Sequence, residues 1–258
     1  QYISSIQANG FLVACGDDAG VKQLLTRITR KDLKILLYGK GENNDFQIQR
    51  IQLNPLSSLA SISSTGRKVG ELNLSVVGEH NLLNALAAFT AASALSMAED
   101  KLFTGLKSFT GTRRRFELKG EVSGIKVIDD YGHHPTEVNV TLITAKNLAQ
   151  AGRVIVIFQP HRYSRTAAFA TQFSTSLALA DFTYLLEVYA ASEKPIEGVS
   201  SRLITSIMNN GEYIPNFVEV TDSVIADAQP GDVIMTLGAG DVSSLAPIIV
   251  EGLTRRFG

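Results

Sequence analysis

The chain has 258 residues, 24 of them basic and 25 acidic, with one cysteine and no tryptophan. That balance argues against a general nucleic-acid binder, which carries a basic excess, and no apolar run approaches the roughly 18 residues of a membrane span. Cys15 has no internal disulfide partner, which suits a reducing compartment. Hydrophobic content of 45% against 19% charged describes a globular chain able to bury roughly 75% of its unfolded surface.

The chain opens QYISSIQANG, with neither an initiator Met nor a signal-peptide pattern, and reads as the start of a fragment or a processed protein. Phe11–Cys15 (FLVAC) is a short apolar run closed by Gly16-Asp17-Asp18, a strand feeding a turn. A short helix is predicted over Val21–Ile28 and a second strand over Lys34–Tyr38. Phe46–Leu53 and Leu72–Val76 alternate polar and apolar residues, as half-exposed antiparallel strands do, with a turn at Thr65-Gly66-Arg67. Asn81–Met97 holds no charge and six alanines, which predicts a closely packed helix. A connection follows around Gly105–Gly111.

Beyond it the grammar repeats. Lys126–Ile128 leads into Asp129-Asp130-Tyr131-Gly132-His133-His134-Pro135, and Val154–Phe158 into Gln159-Pro160-His161-Arg162-Tyr163-Ser164-Arg165. Thr183–Val188 leads into Tyr189-Ala190-Ala191-Ser192-Glu193, and Val233–Leu237 into Gly238-Ala239-Gly240-Asp241. Alternating βα units make a mostly parallel, doubly wound α/β sheet. Ligands bind such sheets beyond the carboxyl ends of the strands, where all four loops fall. A domain boundary near residue 110 is expected.

The uncommon residues gather in these loops. The four histidines are His80, His133, His134 and His161. Of 13 Lys and Arg beyond residue 110, five are Arg113, Arg114, Arg115, Arg162 and Arg165. Arginine's fork of donors suits phosphate and carboxylate, although either cluster alone also suits a solvated turn. Asn81 and Asn84 share a face of one helical turn and could meet an adenine edge, or cap the helix. Asp129-Asp130 could hold a ribose hydroxyl or a metal, or cap the helix that Pro135 opens. Zinc is disfavoured, for the adjacent histidines diverge and neither HExxH nor paired-Cys spacing is present. Cys15 reads as an inert buried thiol. The Gly238–Asp241 turn could offer backbone N–H groups to an anion. Gly39–Gly41 lacks a following helix, and G-x-x-x-x-G-K-[ST] is absent from the sequence.

Five strings in order, Gly78–Ala85 (GEHNLLNA), Arg114–Glu117 (RRFE), Asp129–Glu137 (DDYGHHPTE), Phe158–Arg165 (FQPHRYSR) and Gly238–Asp241 (GAGD), resemble the Mur ligases of bacterial cell-wall synthesis. The resemblance runs over essentially the whole chain. It implies the later part of a P-loop-type ATPase domain over 1–110 and a complete Rossmann-like, amino-acid-binding α/β domain over 111–258. The family's UDP-binding domain, its P-loop lysine and its upstream magnesium ligands have no counterpart here, so the chain alone is expected to be inactive. DDYGHHPTE and FQPHRYSR look most like members that join L-alanine to UDP-N-acetylmuramate through an acyl phosphate. Members that recycle murein peptide are the alternative, and a non-catalytic nucleotide- or amino-acid-binding module is another.

The same resemblance implies ATP and Mg2+ as cofactors, a bacterial cytoplasmic location, and no nucleic-acid or membrane partner. It assigns His80, Asn81, Asn84, Arg115 and Asp130 to the nucleotide. Tyr131, His133, Arg162 and Arg165 fall to the substrate side, and catalysis to His133, His161, Arg162 and Arg165, without deciding which histidine, if either, takes a proton. Metal ligands are not expected here. Glu187 stands where an aspartate is expected.

Overall fold

Residues 3–54 and 57–258 are described by the computed structural model, and the chain divides into two compact units, residues 1–111 and 112–258. The first unit is built on five strands, β1 (Phe11–Cys15), β2 (Lys34–Gly39), β3 (Phe46–Asn54), β4 (Ser57–Ser64) and β5 (Arg67–Leu74), neighbours in that order. The first three are parallel and the last three antiparallel. The parallel β1–β2 pair needs a crossover, which α1 (Ala19–Leu25) supplies. Asp18 starts α1 by accepting the Val21 N–H at 2.8 Å, so the helix begins and ends earlier than the expected Val21–Ile28. β4 escapes a hydropathy reading because serine alternates with its inward Ala60 and Ile62. The turn at Thr65-Gly66 is present, both residues having positive φ, and β5 occupies Arg67–Leu74 where Leu72–Val76 was expected.

The expected helix at 81–97 is α2 (Glu79–Ala94), and a second helix, α3 (Glu99–Ser108), follows it and runs into the stretch expected as a connection around Gly105–Gly111. Ser96, at φ +59, breaks the run, and Glu99 and Asp100 then favour a new N-terminus electrostatically. Leu82, Ala85, Leu86 and Phe89 of α2 pack on Ile48, Ile62, Leu72 and Leu74 of the sheet. Burying Phe89 contributes about 1.5–3 kcal/mol.

The second unit has strands β6 (Glu117–Val122), β7 (Ile125–Asp130), β8 (Val154–Phe158), β9 (Phe182–Leu185), β10 (Gly211–Tyr213) and β11 (Val233–Leu237), arranged β10-β9-β8-β11-β7-β6. Five are parallel, and β6 runs antiparallel to β7. The sheet is therefore mostly parallel, as expected, and mixed only through its antiparallel edge strand β6; the expected strands omit β6 and β10. Its helices are α4 (Pro135–Ala149), α5 (Tyr163–Leu177), α6 (Arg202–Thr205), α7 (Phe217–Asp227) and α8 (Leu245–Phe257). Strand alternation divides the core. Ile128, Val154, Val156, Phe158, Met235 and Leu237 face α4 and α5, while Ile125, Val127, Ile155, Ile157 and Ile234 face α7 and α8. Because β11 lies between β7 and β8, the loops leaving these three strands are neighbours at one end of the sheet.

Candidate functional site

The loop after β7 is shaped by the start of α4. His134 is the N-cap, Pro135 occupies the first turn, and the His134 Nδ1 accepts the Thr136 N–H at 3.3 Å. Glu137 Oε2 accepts the His133 and His134 N–H groups at 3.0 and 3.1 Å, completing a capping box. Burial works against the Glu137 carboxylate. Those N–H groups and the charges of His133 and Arg115 outweigh it and lower its pKa. The helix is thus capped by a histidine, and the capping option raised for Asp129-Asp130 is corrected, because both aspartates belong to β7.

Asp130 is 5% exposed. Its Oδ1 accepts the Gly132 N–H at 2.8 Å and the Thr141 hydroxyl at 3.2 Å, and its Oδ2 accepts the Phe116 N–H at 2.8 Å. Asp129 accepts the Thr236 hydroxyl at 2.6 Å and lies 3.4 Å from Arg114 Nε. Burial raises both carboxyls above the usual aspartate range despite these donors.

The three arginines before β6 do different things. Arg113 is exposed. Arg114 points inward, donating from Nη2 to the Gly238 and Gly240 carbonyls at 2.6 and 3.1 Å. Arg115 has a half-exposed side chain 3.8 Å from Glu137 Oε1. Both guanidiniums lie within 5.0–5.5 Å of the Tyr131 ring centroid, within reach of a cation–π attraction.

From Tyr131 the rings continue across the strand ends. His133 meets Tyr131 edge-on at 5.1 Å and His161 at 5.7 Å, and His161 stacks on Tyr189 at 5.6 Å with a 14° interplanar angle. His133 Nδ1 lies 3.1 Å from the Tyr131 carbonyl and 3.3 Å from Glu137 Oε2. Two acceptors at that nitrogen place the ring proton on it and leave Nε2 with a lone pair in the neutral form. His161 is the reverse, its Nδ1 facing Arg165 Nη1 at 3.4 Å. A donor there calls for a bare Nδ1 and puts the proton on Nε2. Burial, then the charges of His133, Arg165 and Arg162, lower the His161 pKa. Arg162 caps α5 at φ +73, and its exposed guanidinium donates no hydrogen bond within the unit.

In the Gly238–Asp241 loop the first N–H is already in use. The Gly238 N–H goes to the Asp130 carbonyl at 3.0 Å and the Val242 N–H to Gln159 Oε1 at 3.1 Å, while two loop carbonyls receive Arg114. A Cβ at Gly238, where φ is +145, would sit 2.6 Å from the Gln159 carbonyl. The glycines serve close packing.

In the first unit, α2 carries the other expected ligands. Asn81 Nδ2 donates to the Val77 carbonyl at 2.8 Å, and Asn84 is exposed on the same face. His80 lies between Asn81 and Glu79, the latter paired with Lys40 at 2.7 Å. The Lys40 and Gly41 N–H groups, part of the short glycine loop, are taken by the Asp17 carboxylate.

Tyr131, His133, His161 and Arg165 are therefore brought together by direct contacts, with Arg115 and Arg162 at the rim. Sequence reasoning passed over Glu137, Gln159 and Tyr189. The Glu137 signal was legible, because a glutamate three residues after an N-cap is capping-box spacing. Among the described residues, no three His, Cys, Asp or Glu side chains gather as a metal site requires. No helix among them is long and apolar enough to cross a membrane.

Such an array of aromatic rings and arginines at the strand ends of an α/β unit suits an anionic small molecule, and comparison with known proteins identifies the class. Residues 114–240 match the Mur ligase glutamate ligase domain and residues 1–92 the Mur ligase middle domain. The chain belongs to the Mur ligase family. It is 40% identical to a UDP-N-acetylmuramate–L-alanine ligase of Acidothermus cellulolyticus, the match covering 100% of this chain and 55% of that protein. The enzyme of the same name from Acidobacterium capsulatum is 42% identical, with 100% and 56% covered. Among solved structures, a UDP-N-acetylmuramate-alanine ligase from Thermotoga maritima superposes with TM-score 0.72 at 26% identity, over 86% of this chain and 48% of that one. A MurF ligase from Thermotoga maritima in complex with ADP shares the fold at TM-score 0.74 and 17% identity, with 95% and 54% covered. The chain thus spans about half the length of the curated relatives it matches.

Proposed function

We propose that this chain carries the adenine-facing and amino-acid-receiving parts of an ATP-dependent ligase that joins L-alanine to UDP-N-acetylmuramate. The observation that carries the reading is the cluster of Tyr131, His133, His161 and Arg165, with Arg115 and Arg162 at its rim, in a chain about 40% identical to enzymes of that name. In this reaction ATP gives its terminal phosphoryl group to the muramate carboxylate. The alanine amine then attacks the acyl carbon, and phosphate leaves as the amide forms. The protein's task is to hold the reactants in register and neutralise developing charge.

In this reading Arg162 and Arg165 take the alanine carboxylate and the acyl phosphate, for which a fork of donors is fitted, and Tyr131 lines the same cleft. His133, held through Nδ1, presents Nε2 to accept a proton from the incoming ammonium. His161 presents an Nε2–H to developing negative charge. Arg115 serves the nucleotide phosphates, while Asn81 and Asn84 serve the adenine edge with His80 beside them. Three donors already use the Asp130 carboxylate, and its remaining acceptor capacity is assigned to a ribose hydroxyl. ATP arrives with its Mg2+, whose ligands belong mainly to the portion that the relatives have beyond this chain's 55% coverage. The domain roles follow, with residues 1–110 serving the nucleotide and 111–258 the amino acid, in a protein of the bacterial cytoplasm that acts on small molecules.

The coverage of the relatives also motivates the proposal that the 258-residue chain forms no amide by itself. Calorimetric titration with ADP, alongside an assay of L-alanine-dependent phosphate release from ATP and UDP-N-acetylmuramate, tests both parts. Nucleotide binding without turnover is expected. Turnover contradicts the need for further chain, and absence of ADP binding contradicts the nucleotide assignment.

A further inference from the structure

Arg114 does not behave as a ligand arginine. Its Nη2 reaches the Gly238 and Gly240 carbonyls at 2.6 and 3.1 Å, its Nε lies 3.4 Å from the buried Asp129, and its guanidinium covers Tyr131 at 5.0 Å. One rigid fork thus ties the turn before β6 to the loop after β11, 124 residues on.

That loop in turn supports Tyr189. A Cβ at Gly240 would stand 2.8 Å from Tyr189 Cγ and 2.9 Å from its Cβ, so the loop backbone lies directly against the tyrosine. Tyr189 then holds the loop after β8 at three points. Its N–H donates to the Pro160 carbonyl at 2.8 Å, its carbonyl accepts the Arg162 N–H at 2.8 Å, and its ring stacks on His161. Arg162 sits at φ +73, a conformation that costs a non-glycine residue energy and persists only when neighbours impose it. The two Tyr189 backbone bonds, with the Thr166 N–H and hydroxyl on the Arg162 carbonyl at 3.0 and 2.8 Å, are what impose it.

We propose that Arg114 is a positioning residue. By holding the Gly238–Gly240 carbonyls it sets the stance of Tyr189, and through Tyr189 the placement of His161 and Arg162. The inference rests on the functional reading only for what that placement serves, which is presenting Arg162 and His161 to an anionic group. The contacts stand without it. They also link the arginine turn, where Arg115 projects, to the loop where Arg162 projects, through one continuous set of contacts.

Nuclear magnetic resonance on the 258-residue chain tests this, because four histidines can be resolved and His161 does not touch Arg114. The groups facing His161 are His133, Arg162, Arg165 and Glu193, and none is altered in the variants. Arg114→Lys retains the charge but loses the fork that spans two carbonyls and Asp129. The His161 ring signals are expected to shift and its titration midpoint to rise towards the ordinary histidine value as water reaches the ring, with His80 and His134 unmoved. Arg114→Gln, neutral, is expected to move the same signals in the same direction and decides the matter if the lysine variant does not fold. Gly240→Ala, whose Cβ would press on Gln159 Oε1 as well as on Tyr189, marks the signals that a displaced contact between this loop and Tyr189 affects. If it moves His161 while both Arg114 variants match the unaltered chain, the proposal is overturned. None of these signals needs a ligand, so failure to bind ADP or L-alanine counts against the functional reading alone.

Discussion

His161 and Tyr189 are joined twice, by rings stacked at 5.6 Å and by an isolated parallel backbone bridge that carries the β8–β9 pairing beyond both strands. That double attachment keeps an imidazole in a half-buried position among cationic neighbours, and its protonation has a measurable consequence.

Burial and the neighbouring charges depress the folded-state pKa of His161 below the usual 6.5. A depressed pKa means that the folded state favours the neutral ring. The associated stability is fully present above about pH 6.5 and is lost as pH falls through the folded-state value. Thermal unfolding followed from about pH 8 to about pH 5 should show a decline in midpoint that His161→Phe reduces, since phenylalanine keeps the stack and does not titrate. An identical decline in both proteins contradicts the assignment.

The opposite hydrogen bonding of the two site histidines predicts opposite tautomers. Long-range proton–nitrogen correlation spectra above about pH 7.5, a pH about one unit above the ordinary histidine value, should show His133 protonated at Nδ1 and His161 at Nε2. Glu137→Gln removes the charged acceptor beside His133 Nδ1 and should shift the His133 population towards Nε2–H. A His133 already in that form in the unaltered chain removes it as the proton acceptor.

His134 is assigned to the helix cap, separate from the chemistry. His134→Ala removes the acceptor for the Thr136 N–H and should lower stability by about 1 kcal/mol, the usual value of an N-cap side chain. Chemical denaturation measures this, and ADP affinity should change little. A loss of ADP binding with stability intact would show that His134 acts on the ligand instead.

The two asparagines of α2 separate in the same way. Asn81→Ala removes a 2.8 Å bond to the Val77 carbonyl and should cost about 1 kcal/mol of stability. Asn84 is exposed and forms no such bond, so Asn84→Ala should stay within about 0.5 kcal/mol of the parent. Both should weaken ADP binding on calorimetric titration. If Asn84→Ala leaves it unchanged, the adenine assignment of that face is wrong.

What the sequence revealed follows burial. β8 and β11 are covered on both faces, so they read as unbroken apolar runs, VIVIF and VIMTL. β4, with its serines, β6, with charges at Glu117, Lys119 and Glu121, and the three-residue β10 carry no such signal. The same divide runs through the site. His133, His161, Arg162 and Arg165 stand out as rare or clustered residue types in loops after strands. Which arginine turns inward could not be read from three in a row, because the choice between Arg114 and Arg115 is made by carbonyls more than 120 residues away. The function of the glycines at 238 and 240 was hidden likewise. What requires them is the approach of Gln159 and Tyr189, which no local pattern records.

The central claim is that the strand-end loops of the second unit receive an amino-acid carboxylate through Arg162 and Arg165. Arginine Nε–H signals of the labelled chain, titrated in parallel with L-alanine and with L-alaninamide, which lacks the carboxylate, test it most directly. The account predicts saturable shifts at Arg162 and Arg165 with L-alanine, none with L-alaninamide, and loss of the Arg165 response in Arg162→Ala. Equal responses to the two compounds, or none to either, would contradict it.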